Sequence, residues 1–197
     1  MKYKPMLAYP VSDKPIDYKS VVYMQPKLDG VRCLIQFERG FNPNLDPSFD
    51  DRDKVVAYSR TGKVWKNIDH ILRELKPFFI DNPDVVLDGE LYNHNFKDDF
   101  ESIISMVRKT KPTDEDRYIS AQNVHFHCYD IVDIHKSYMQ RRNFIVQNLP
   151  IRDCINGVFT QLVSSEEEAK QFHEHSLELG YEGSIVRIND VYKCGRS

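Results

Sequence analysis

Four short β-branched runs, residues 21–24, 31–37, 55–59 and 85–87, fill the first half of the chain and are punctuated by glycine or asparagine. Such runs predict strands. No helical pattern separates the first three, so strands and helices do not alternate strictly. That argues against a doubly wound parallel sheet and predicts an α+β fold of largely antiparallel sheets flanked by helices.

The helices have recognisable ends. One is predicted from Asn67 or Asp69 through Lys76, and another over 100–107, where apolar residues recur at helical spacing. The second half opens with a predicted strand at 124–132 and a short helix at 138–147. Ser165 with Glu168 forms a capping-box pattern, Ala169, Phe172 and Leu179 recur on one side, and Gly180 stops that helix before a strand at 184–188. Residues 42–53, rich in Asn, Asp and Pro, predict a surface loop.

At 197 residues the chain is expected to form one domain spanning 1–197. With 41% hydrophobic and 29% charged residues it has ordinary globular composition. No apolar run approaches the ~20 residues of a membrane span, and the first ten residues lack the pattern of a secretory signal. The expected location is therefore the cytoplasm, with no membrane partner. Cys33, Cys128, Cys154 and Cys194 are far apart, without spacing suited to zinc or redox chemistry.

A net charge of −3 gives no global argument for nucleic acid, so any polyanion site must be local. The acidic excess clusters at 46–53 and 166–168, leaving Lys27, Arg32, Arg60, Lys63, Arg187, Lys193 and Arg196 free to build one.

Lys27-Leu28-Asp29-Gly30-Val31-Arg32 gathers an amine, a carboxylate and a guanidinium around one tight turn. A lysine amine attacks only when neutral, so a nucleophilic Lys27 needs nearby cations or an apolar pocket. Arg32 and a bound metal are candidate cations; Asp29 could hold that metal or a ribose hydroxyl; Gly30 permits close approach of a nucleotide. The same Asp-Gly between two β-rich runs is equally a hairpin signal, with Lys27 an ordinary solvated side chain.

Weaker groupings follow. Asp88-Gly89-Glu90 offers two carboxylates or another turn; Glu182-Gly183 with Arg187 offers a metal ligand and a guanidinium or a solvated strand end. Ser59-Arg60-Thr61-Gly62-Lys63 offers a phosphate grip or a solvated turn. Tyr129 before Asp130 offers an aromatic for stacking on a base or for the core.

Taken in order, Lys-x-Asp-Gly-x-Arg, Ser-Arg-x-Gly, Asp-Gly-Glu, aromatic-Asp and Glu-Gly-x-x-Val-Arg resemble the covalent nucleotidyltransferases, specifically small phage-type ATP-dependent DNA ligases. The matches extend from Gln25 to Arg187. The resemblance implies an ATP-grasp-like nucleotidyltransferase adenylation domain. There Lys27 attacks the α-phosphate of ATP and holds AMP, which passes to the 5′-phosphate of nicked duplex DNA before the strand is sealed. It implies that Asp29, Arg32 and Glu90 surround the ribose, and that Gln25 reads the adenine edge while Tyr129 stacks on the base. Arg187 and Lys193 join the nucleotide site, Arg60 and Lys63 meet phosphate or DNA, and Glu182, Asp29 and Glu90 place Mg2+. The protein is expected to act as a monomer. mRNA capping guanylyltransferases and RNA ligases are the alternative enzymes, and a non-catalytic nucleic-acid-binding module is the alternative outside enzymes.

The pattern departs from the family at its end. A final Lys-x-Lys motif and the oligonucleotide-binding barrel that follows it are absent before Ser197, and Lys193 cannot be renamed as either missing lysine. The expectation is a C-terminally truncated adenylation domain that binds nucleotide but is impaired in adenylylation.

Overall fold

The computed structural model describes residues 3–40 and 54–196, so the predicted loop at 42–53 lies outside the described residues. The fold is α+β, with mostly antiparallel sheets. Strand β1 (Met6–Leu7) precedes β2 (Val22–Lys27), β3 (Val31–Glu38) and β4 (Lys54–Tyr58). Helix α1 (Asp69–Asp81), β5 (Val86–Tyr92), α2 (Phe100–Val107), α3 (Asp114–Asn123) and β6 (His125–Ile131) follow. The remainder is α4 (Tyr138–Asn148), β7 (Ile155–Gly157), β8 (Gln161–Val163), α5 (Glu166–Glu178), β9 (Gly183–Ile188) and β10 (Gly195–Arg196).

A five-stranded sheet has the order β4-β3-β5-β6-β7 and a three-stranded sheet the order β8-β2-β9, while β1 pairs in parallel with β10. The hairpin expected at Asp29-Gly30 does not form. Its two flanking strands belong to different sheets, β2 pairing with β8 and β9, and β3 with β4 and β5. The turn is therefore a crossover between sheets, and Lys27 ends the last strand before it.

Each sheet carries its own core. Ile71, Leu75, Phe78 and Phe79 of α1, Ile103 and Val107 of α2 and Ile145 of α4 pack with Ile35, Leu87, Leu91 and Phe126 of the larger sheet. On the smaller sheet, Val22, Met24 and Val163 pack against Ala169 and Phe172 of α5. Each of these Val, Leu, Ile, Met and Phe side chains contributes about 1.5–3 kcal/mol when fully buried.

The differences from the sequence reading have local causes. Helix α1 runs past Lys76 with Pro77 inside it, because burial of Phe78 and Phe79 offsets the roughly 3 kcal/mol an interior proline costs. Asp88-Gly89 is no turn but lies within β5. A β-carbon at position 89 would lie 2.5 Å from Cε2 of Phe126, so glycine is required there by packing. Helix α3 has no expected apolar stripe, Ser120 being its buried residue. It is started by a Thr113–Asp116 capping box with Asp114 and Glu115 in its first turn. In α5, Ser165 accepts from the Glu168 amide as expected, but the Glu168 carboxylate bonds Ser164, and Leu179 is exposed.

Candidate active site

The two sheets face each other across a cavity of about 730 Å³, a size suited to a small-molecule ligand. Register places its key groups. In the smaller sheet Lys27 of β2 sits opposite Gly183 of β9, and the Glu182 amide donates to the Lys27 carbonyl (3.2 Å). The Lys27 ammonium and the Glu182 carboxylate form an ion pair at the cavity wall, both side chains partly exposed.

In the larger sheet Arg32 lies opposite Glu90, with Leu34 opposite Asp88 one pleat deeper. Arg32 donates two hydrogen bonds to buried Asp88 (2.7 and 2.6 Å) and one to the Met6 carbonyl (3.1 Å). Asp88 also accepts from the Tyr192 hydroxyl at 2.7 Å. Arg32 is thus committed to Asp88 and is not an unpaired cation beside Lys27. A β-carbon at Gly30 would lie 2.5 Å from the Leu91 carbonyl oxygen and 2.7 Å from Cγ of Glu90. The close approach that calls for glycine is therefore to β5.

A β-bulge supplies what the sequence does not reveal. Asp88 pairs with Asp130, but Gly89 pairs with Cys128, so Tyr129 is the extra residue in β6. Bulges commonly re-aim side chains beside active sites. Cys128 stays in the core, Tyr129 lines the cleft, and Asp130 is fully buried beneath it against Arg141. The Tyr129 hydroxyl donates to Glu90 (3.3 Å), and the guanidiniums of Arg32 and Arg187 lie over its ring, each 5.0 Å from the centroid. Gln25 is buried and its amide is used internally, donating to the Tyr129 carbonyl and the Thr160 hydroxyl and accepting from Arg187.

Gln25, Lys27, Asp29, Arg32, Glu90 and Tyr129 therefore line the same cavity as Glu182, Arg187 and Lys193, with Arg60 also on its wall. Lys193 pairs with Asp190 at 2.5 Å. Lys63 lines a neighbouring cavity instead. Sequence reasoning missed the supports beneath. Arg141, 1% exposed, donates to both oxygens of Asp130 (2.7 and 3.1 Å) and to the carbonyls of Lys136 and Asp190. Nδ1 of His94 accepts from the Tyr92 hydroxyl (2.6 Å) and its Nε2 donates to the Leu179 carbonyl (3.0 Å), while its ring packs on Tyr181 beside Glu182.

Burial pushes the Glu90 carboxyl up to about 8, with Arg32 pulling it down and Asp88 pushing it up. The folded chain then holds this proton more tightly than the unfolded chain. Stability contributed by neutral Glu90 is present below about 4.5 and is lost as pH rises through about 8. Burial lowers His127 to about 4, an opposite effect that raises stability between about 4 and 6.5. From pH 6.5 to 8 the Glu90 effect stands clear of the His127 one. Thermal melting should therefore fall across that window, and Glu90→Gln should flatten the fall; an unchanged slope in the variant contradicts the assignment.

The sequence profile of the ATP dependent DNA ligase domain matches residues 5–197. The chain belongs to that family. It is 30% identical over 148 residues to the DNA ligase of African swine fever virus (isolate Tick/South Africa/Pretoriuskop Pr4/1996), covering 72% of this chain and 33% of that protein. This ligase-family chain thus spans about a third of the length of the viral relative. Its fold is similar to that of the ATP-dependent DNA ligase of bacteriophage T7 in complex with ATP, with a TM-score of 0.69 at 18% identity, covering 100% of this chain and 67% of that one. A Lig E DNA ligase gives a TM-score of 0.68 at 20% identity, covering 100% and 66%.

Proposed function

We propose that residues 1–197 form an adenylation domain in which Lys27 attacks the α-phosphate of ATP, releasing pyrophosphate and holding AMP as a phosphoramidate. AMP then passes to the 5′-phosphate of nicked duplex DNA, and the adjacent 3′-hydroxyl displaces it as the strand is sealed. The observation that carries this reading is the Lys27–Glu182 ion pair on the wall of a nucleotide-sized cavity shared with Arg32, Glu90, Tyr129 and Arg187. The family match supports it.

Each chain residue then has a task. Lys27 must lose a proton before it attacks, and the Glu182 carboxylate holds its nitrogen in place at the cavity wall. Glu90, held neutral by burial below about pH 8, suits a ribose hydroxyl better than a cation. Adenine reaches the Tyr129 face when one of its two guanidinium neighbours yields. Arg32 and Arg187, each paired with a buried aspartate, bring guanidinium N–H groups to the cavity wall.

Among the described residues no three His, Cys, Asp or Glu side chains close into a metal cage. The donor set nevertheless fits Mg2+, which takes one or two carboxylates and completes its shell with water and substrate phosphates. Glu182 and Asp29 would hold it. When bound, Mg2+ supplies charge neutralisation on the transferring phosphoryl group.

We take the protein to work as a monomer in the cytoplasm. No helix among the described residues is long and apolar enough to cross a membrane. The enzyme reading is tested by incubating the intact gene product with α-labelled ATP or α-labelled GTP and magnesium. ATP should give an acid-labile, alkali-stable protein label; preferential labelling by GTP would assign a capping activity instead.

A further inference from the structure

Close to the Lys27–Glu182 pair, two short segments that belong to different sheets touch. One is the turn at residues 93–97, which follows β5 of the larger sheet; the other is the turn at residues 179–182, which leads from α5 into β9 of the smaller sheet. Nε2 of His94 donates to the Leu179 carbonyl (3.0 Å), and the His94 ring lies 4.7 Å from that of Tyr181, centroid to centroid. The Lys97 side chain lies over Gly180, in the space a β-carbon there would need. Each of these contacts falls within three residues of Glu182.

The side of this contact that belongs to the larger sheet is rigid. Tyr92 and Asn93 are buried. The Tyr92 hydroxyl donates to Nδ1 of His94 (2.6 Å), and the Asn93 side-chain amide donates to the Asn123 carbonyl at the end of α3 (2.9 Å). A carbonyl can only accept, so the imidazole proton sits on Nε2 and leaves Nδ1 to accept from Tyr92. With both nitrogens engaged, the ring is held in one orientation. The other side is a short turn whose far end is pinned by the Glu182 amide, which donates to the Lys27 carbonyl (3.2 Å). A basic side chain of the helix itself or water is enough to satisfy a helix's last carbonyls; here the donor comes from the opposite sheet, from a residue outside the lining of the nucleotide cavity.

We infer that His94 is a positioning residue for the Lys27 reaction: it ties the 179–182 turn to the end of β5 and so holds the Glu182 carboxylate at the Lys27 nitrogen. Its catalytic consequence rests on the reading of Lys27 as the nucleophile. The restraint itself does not.

The test pairs two readouts on the intact gene product. Hydrogen exchange over residues 179–184, measured without ATP, reports on the turn through the amides of Gly180, Tyr181 and Glu182, which bond the carbonyls of Leu177, Ser176 and Lys27. His94→Ala should speed that exchange about fivefold, the effect of one lost hydrogen bond, with exchange in α1 unchanged. His94→Gln, which keeps a donor for the Leu179 carbonyl, should stay within about twofold of the parent. In single-turnover labelling by α-labelled ATP with magnesium, His94→Ala should lower the rate at saturating ATP about tenfold. The half-saturating ATP concentration should stay at the parental value, and His94→Gln should restore the rate. If the alanine variant fails to fold by circular dichroism, Tyr92→Phe, which removes only the hydroxyl that holds the ring, should still speed the 179–184 exchange about twofold. Parental exchange over 179–184 in the variant used, equal acceleration in α1, or a labelling defect confined to the half-saturating ATP concentration overturns the inference. A parent that takes no label defeats the ligase reading instead, and the exchange comparison still decides whether His94 holds the turn.

Discussion

Arg141→Leu is expected to destabilise the chain by about 3–5 kcal/mol, the effect of removing one partner of a buried ion pair. The reason is what the guanidinium leaves behind. Asp130 is fully buried and Arg141 is 1% exposed, and the carboxylate would lose hydrogen bonds of 2.7 and 3.1 Å. The carbonyls of Lys136 and Asp190 would lose donors at 2.6 and 2.9 Å. Arg187, 3.6 Å from Asp130, does not replace them. Urea unfolding checks this through a lower midpoint at constant m-value. A loss below about 1 kcal/mol would show that water enters and solvates Asp130, as at an exposed pair. Adding Asp130→Asn should recover part of the loss, since the uncompensated charge is then gone.

The damage should also reach the cavity. Asp130 follows Tyr129 in the bulge, and Asp190 lies on the segment that carries Lys193. Arg141 therefore joins the bulge of the larger sheet to the chain after β9.

Much of this site is legible in the sequence because its parts are local. Lys27, Asp29 and Arg32 lie within six residues, Asp88 and Glu90 within three, and Glu182 and Arg187 within six. What joins them is not local. An Asp-Gly pair is chemically suited to a hairpin, and nothing in residues 21–37 states that β2 will pair with β8 and β9 while β3 pairs with β4 and β5. Asp88-Gly89 misleads for the same reason, since its glycine answers to Phe126 on a neighbouring strand. The bulge at Tyr129 is a matter of register between β5 and β6 and leaves no mark on composition. Arg141 and Arg142 are adjacent, and only packing makes the first the buried partner of Asp130. Strands β7 and β8 have three residues each, too few to show a period. Helix α3 could have been found from Thr113 and Asp116, a cap pattern that does not depend on an apolar face.

The second large effect concerns chemistry, not stability. Lys27→Arg keeps a positive charge beside Glu182 but offers a guanidinium that stays protonated. The half-exposed pair it replaces is worth about 1 kcal/mol at most. The variant should therefore fold and bind ATP, while its covalent labelling falls below detection.

The most direct measurement of the central claim is the position of the adduct. The intact gene product is incubated with ATP and magnesium, digested with trypsin at alkaline pH and mapped by mass spectrometry. An AMP-modified lysine resists cleavage, so AMP should appear on the uncut peptide spanning residues 20–32, with Lys27 as its internal lysine. AMP on another lysine, or no adduct at all, would contradict the account.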